Sequence, residues 1–210
     1  MQGLATIKQG RKLVEKRENL LRLSGTVILR GLTGLLLLVL TAAAHAGNTD
    51  HALGVILGQG VLYSRLSERS YIGLSYRQAW NPDWATRFPA DTPFSLAYTL
   101  SRFRGCGRGV CDQLTDVGFG PMVRHFPKYK QGPSWYVELG ISLHLISQTH
   151  ISHETYSSAV QFRELLGMGI VFGPAQHYDL GLSYVHESNA DIKTPNDGMN
   201  FLLLNFSIRW

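Results

Sequence analysis

The chain closes on "NFLLLNFSIRW", Asn200 to Trp210, and the reading of this stretch decides the fold. Leu202, Leu204, Phe206, Ile208 and Trp210 share one parity. Phe201, Leu203, Asn205, Ser207 and Arg209 share the other, which turns polar toward the end. Side chains alternate across a β-strand, so the segment has one continuous apolar face and one mixed face. A strand of a soluble sandwich also alternates, but it rarely ends a chain on a bare tryptophan.

Working back from the terminus, the same alternation recurs in segments near 52–63, 71–79, 94–103, 116–126, 134–146, 158–172 and 177–187. Turn-rich pieces such as "NPDWATRFPADTP", "PKYKQGP" and "FGPAQH" separate them,. With the last strand this makes an even set of segments, each long enough to cross a bilayer when tilted. A terminal aromatic after alternating apolar positions resembles the assembly signature of outer-membrane barrels. The expected fold is therefore all-β, an eight-stranded antiparallel transmembrane β-barrel closed so that no strand edge meets lipid. Tyr63, Tyr71, Tyr76, Trp80, Trp84, Tyr98, Trp135 and Tyr136 lie near strand ends, where aromatic girdles form,.

The start of the chain fits this reading. A basic stretch ends at Arg30, "GLTGLLLLVLTAAAHA" follows, and Ala44-His45-Ala46 sets small residues around a cleavage point before Gly47,. The apolar run is short for a transmembrane helix of about 20 residues. Residues 1–46 are expected to be a cleaved signal peptide and 47–210 the barrel. This leader holds seven of the 20 Lys/Arg and two of the 15 Asp/Glu, so the remainder carries 13 of each sign. The net charge of +5 belongs to the leader, and a nucleic-acid partner is excluded as the reason for it,. Cys106 and Cys111 in "RGCGRGVCD" are the only cysteines. In an exported chain this glycine-rich spacing suits a small disulfide-closed loop, and without a nearby His it makes a poor metal site. No metal or cofactor is expected.

An even strand number with both termini on the periplasmic side places the connections near 64–70, 104–115, 147–157 and 188–199 outside. The last of these follows "YDLGLSYVHES", in which Leu180, Leu182, Tyr184, His186 and Ser188 share a face. That face is apolar until His186 and Ser188, so it is expected to meet lipid. Gly181, Ser183, Val185 and Glu187 then look into the lumen. A polar pair on a lipid-facing wall is costly unless partnered or used, and a histidine beside a serine can act as its base. The spacing alone is a weak signal. His150-x-Ser152 repeats it in "THISHE" with no apolar face around it, and reads as surface loop. His144 reads as a wall residue.

His186-Glu187-Ser188-Asn189-Ala190, followed by Ile192-Lys193 and Pro195-Asn196-Asp197-Gly198, resembles the C-terminal motif of the PagL family, the outer-membrane lipid A 3-O-deacylases. The resemblance implies a hydrolase of lipopolysaccharide in the bacterial outer membrane. It releases a 3-hydroxy fatty acid from the 3-position of lipid A. It assigns Ser188 as nucleophile, His186 as general base, and Asn189 and Asn196 as residues near the oxyanion. The family's acid, a Glu on the last strand, is matched here by Asn200. An amide carbonyl can orient a histidine ring but brings no charge. Asp191 and Asp197 are the alternative acids, whereas the parity of Glu187 sends it inward. The implied partners are lipid A as substrate, the surrounding outer-membrane lipid and the barrel assembly machinery, and a homodimer is compatible with the sequence. The alternative function is a non-catalytic or degenerate small barrel with an adhesive or structural role. A palmitoyl-transferring barrel fits less well, because those enzymes work from inside.

Overall fold

The computed structural model describes residues 50–61, 66, 68–127 and 132–210. The expected leader and Tyr63 lie outside these residues. The elements are β1 (His51–Gly60), β2 (Glu68–Ala79), β3 (Phe94–Gly107), β4 (Val110–His125), β5 (Ser134–Ile146), β6 (His150–Ile151), β7 (Glu154–Thr155), β8 (Val160–Phe172), β9 (Tyr178–Ser188) and β10 (Met199–Arg209). The long strands close in the order β1-β10-β9-β8-β5-β4-β3-β2, and every neighbouring pair is antiparallel. The terminal strand closes the ring, from Ala52 opposite Arg209 to Gly60 opposite Phe201.

Alternation along each strand sorts the side chains. Leu57, Ile72, Leu100, Leu139, Leu166 and Leu204 stand on the outer wall and are exposed. Such a belt would be a liability in water, whereas a bilayer matches it. The inward positions are of another kind. Around the lower half of the lumen, Asp179 accepts hydrogen bonds from Arg77, from Arg124 at 2.6 Å and from the Tyr136 hydroxyl at 2.6 Å. Arg124 also pairs with Glu138 at 2.8 Å. In the upper half, Arg163 donates to Glu187 at 2.5 Å, Asp116 at 2.7 Å and the Tyr71 hydroxyl at 2.9 Å. Buried charges persist only when paired and hydrogen-bonded, and each of these is.

Apolar caps lie beyond the charges. Tyr71, Phe103, Leu114, Ile151, Tyr156 and Phe201 belong to the cluster toward the β3–β4 turn and the β9–β10 loop, the rim called upper here. The small β6–β7 hairpin provides Ile151, and Tyr156 follows it. The Tyr156 phenol hydrogen-bonds Glu154 at 3.2 Å, and burial with that carboxylate beside it raises its pKa, so it stays a neutral donor,. Phe126, Tyr136 and Val171 form the opposite cluster.

Two expectations need correction. The stretch 104–115 is not an open loop, because β3 and β4 run on to a two-residue turn at Arg108-Gly109. Both turn residues have left-handed φ, 48° and 81°, as a tight hairpin turn requires,. Cys106 and Cys111 stand directly opposite across this ladder and are bonded. Tyr71 and Tyr136 are not girdle residues. Their parity puts them in the lumen, where their hydroxyls meet arginines, while Trp84, Tyr98 and Trp135 are exposed.

Replacing Asp179 by Ala leaves Arg77 and Arg124 without their shared counter-charge. Breaking a buried pair costs about 3–5 kcal/mol, so the urea midpoint of the barrel in detergent micelles should fall, read by the mobility shift between folded and heated protein on gels.

Candidate active site

β9 carries His186 and Ser188 to the upper rim, and its burial pattern alternates as the parity argument expects. Leu180, Leu182 and Tyr184 are exposed, Asp179, Ser183, Val185 and Glu187 are buried, and His186 and Ser188 are half-buried on the outer face. Glu187 is turned inward onto Arg163. The antiparallel register places Asn200 of β10 directly opposite His186. The Asn200 Oδ1 atom accepts from His186 Nδ1 at 2.9 Å and from the Tyr184 hydroxyl at 2.7 Å. With Nδ1 donating, Nε2 is left as the basic nitrogen.

Gly198 shapes the same corner. Its φ of +65° favours glycine, and a Cβ there would come within 3.2 Å of His186 Cε1,. The loop between Ser188 and Gly198 is fixed by its own amides. Asn189 is buried and donates from Nδ2 to the Tyr156 and Lys193 carbonyls, each at 2.7 Å. Its N–H reaches Asn196 Oδ1 at 3.3 Å, and Asn196 Nδ2 donates to Asp191 at 3.1 Å. Asp197 accepts the Thr155 N–H at 2.7 Å. Both alternative acids are thus engaged within the loops, and Asn200 is the one at the histidine. Ala190 and Asp191 take left-handed φ of 54° and 56°, and the turn brings the Ala190 N–H to 3.5 Å from Ser188 Oγ. Among the described residues Ser188 has no hydrogen bond to His186.

A groove of about 710 Å³ runs over the outer wall from this corner. Its lining includes His186, Tyr184, Leu166, Ile141 and Trp84, with Glu164 beside the histidine. Tyr184 as a second donor to Asn200, and Glu164, were not singled out from sequence. Parity reveals that Tyr184 faces outward, but the partners of both depend on register.

A second serine–histidine–acid chain serves as a contrast. Ser142 Oγ lies 2.8 Å from His144 Nε2, and His144 Nδ1 lies 2.8 Å from Asp116. This chain faces the lumen beside a cavity of about 70 Å³. That space admits a few waters and no acylated sugar. Asp116, His144 and Glu187 place ligand atoms within 4.8 Å of one another, yet Arg163 already provides the positive charge between the two carboxylates. His150 is exposed, and Ser152 is tied to the β3–β4 hairpin through Gly107 and Asp112.

The family model described as "Lipid A 3-O-deacylase (PagL)" matches residues 70–209. The chain belongs to the PagL family. The lipid A deacylase of Pseudomonas aeruginosa is 32% identical over 172 residues, spanning 80% of this chain and 88% of that protein. The lipid A deacylase of Bordetella bronchiseptica is 34% identical over 79 residues, which is 38% of this chain and 43% of that relative. The crystal structure of the outer membrane enzyme PagL superposes with a TM-score of 0.60 at 19% identity, covering 76% of this chain and 99% of that one. This member of the PagL family is therefore an outer-membrane β-barrel, with Asn200 bonded to the histidine of its C-terminal motif.

Because a Cβ at 198 crowds the His186 ring, Gly198→Val displaces it. The His186 Nδ1–H proton, held by Asn200 at 2.9 Å, should then exchange with solvent at least about tenfold faster by NMR, while gel mobility reports an intact barrel.

Proposed function

We propose that the protein is a serine esterase of the outer membrane that hydrolyses the acyl ester at the 3-position of lipid A. The observation that carries this reading is the hydrogen bond between His186 Nδ1 and Asn200 Oδ1, 2.9 Å long, on the outer wall two residues before Ser188. It holds the imidazole in the tautomer that can take a proton at Nε2. The membership in a lipid A deacylase family supports the substrate class.

The chemistry follows from the placement. Lipid A lies in the outer leaflet, so an outward-facing serine meets the ester without lifting the lipid from the membrane. Ser188 Oγ attacks the acyl carbonyl as its proton passes to His186 Nε2. The oxyanion forms beside the Ala190 N–H, with the Asn196 amide as a side-chain donor and Asn189 as the buried brace of the turn. Collapse breaks the bond to the sugar oxygen, which takes the proton from His186. Water, deprotonated by the same nitrogen, then attacks the acyl-serine; the bond to Ser188 Oγ breaks, that oxygen takes the proton back from His186, and the 3-hydroxy fatty acid leaves. The apolar groove leading from His186 gives the departing acyl chain a surface that matches it.

Expression in a bacterium with intact lipid A should lower the lipid A mass by one 3-hydroxyacyl group. Ser188→Ala should abolish the shift with the barrel still folded, and His186→Ala should reduce turnover by roughly the 10²–10⁴-fold that general acid–base catalysis supplies. An unchanged lipid A spectrum from folded wild-type protein would sink the esterase reading and leave a non-catalytic barrel, the reading that the uncharged Asn200 favours.

A further inference from the structure

The proposed reaction makes His186 a cation when it takes the serine proton, and Asn200 has no charge to meet it. We infer that Glu164 is the positioning residue whose carboxylate offsets this charge, acting through the histidine and not on the substrate. The inference rests on the deacylase reading above.

The register makes the case. Glu164 of β8 stands directly opposite His186 of β9, and Asn200 of β10 stands opposite it on the other side. The three residues form one cross-strand row, with the histidine at the centre. Directly opposed residues on one face of a sheet have Cβ atoms about 4.5–5.5 Å apart, so the carboxylate reaches the ring's surroundings in ordinary rotamers. Asn200 already holds Nδ1. Glu164 therefore has no need of a hydrogen bond to the ring. Its part is Coulombic, and a hydrocarbon surround makes such an attraction far stronger than water does.

The placement of Glu164 is otherwise unaccounted for. The outward positions of β8 are Val160, Phe162, Glu164, Leu166, Met168, Ile170 and Phe172, so one carboxylate interrupts an apolar file. Glu164 is exposed, and its cross-strand neighbour on β5 is Ile141. Apart from His186, no other residue lining the groove is ionisable except tyrosine. Among the described residues Glu164 has no hydrogen bond or ion pair that would explain it structurally. An ionisable group on a lipid-facing wall is expensive and marks a functional use. The group that needs it is across the strand.

The test compares wild type, Glu164→Gln, Glu164→Asp and the double variant Glu164→Gln/Asn200→Glu, assayed on purified lipid A in mixed micelles. Glu164→Gln should lower kcat at least about tenfold with KM within about twofold, since the loss falls on the charged state. Glu164→Asp should recover most of it. The double variant should recover it too, because a carboxylate returns from the other side of the same row. Undiminished kcat in Glu164→Gln overturns the inference, as does a change confined to KM, which would make Glu164 a substrate contact. A loss that neither Asp nor the double variant restores overturns it as well. If wild type has no deacylase activity, the esterase reading fails by itself. The rate of Ser188 labelling by a fluorophosphonate then decides, being slowed by Glu164→Gln and restored in the double variant, or else unchanged and against the inference.

Discussion

Hydrocarbon offers no hydrogen bonds, so every strand N–H and C=O in the wall has to find its partner on the neighbouring strand. The remaining features follow from that constraint. It forces β10 onto β1 and closes the sheet. Closure leaves each strand with one face to lipid and one to the lumen, and parity then assigns every side chain to one or the other. The luminal face can hold arginines and carboxylates only because they neutralise one another there. The outer face is left apolar, and any polar group on it stands out.

His186 and Ser188 stand out in this sense. Their strand could not turn them inward without sending Glu187 and Asp179 into the lipid, since a one-residue slip exchanges the two faces. The luminal ion pairs therefore help hold the His186–Ser188 corner outward. Arg163 on Glu187 fixes the inward side of β9 one residue from His186 and one from Ser188, while Asn200 fixes the histidine from outside. The loop beyond is braced separately, by Asn189 reaching the Tyr156 carbonyl and by Asp197 on Thr155.

Most of this scaffold was legible in the sequence, because a period of two leaves a long trace in eight segments. Leu180 through Ser188 gave the direction of the site, and Asn200 was identified twelve or so positions later from the family motif. What escaped were relations across the ring. Asp116 and Arg163 lie 47 residues apart and meet only once the barrel has closed. Tyr71 and Tyr136 read as girdle aromatics from their places near strand ends, yet Ser75 and Arg77 on the same parity as Tyr71 already pointed to the lumen. The β3–β4 hairpin looked like an open loop because glycine and arginine dominate its composition. There the cross-strand cysteines extend the ladder to the turn. Glu164 was invisible for a simpler reason: opposing it to His186 needs the register of a hairpin.

The lumen is packed as a core and does more than line the wall. Between the cluster around Tyr71 and Phe201 and the cluster around Tyr136 and Val171 lies a cavity of about 70 Å³. Among the described residues, charge pairs and aromatic side chains occupy the lumen from one cluster to the other.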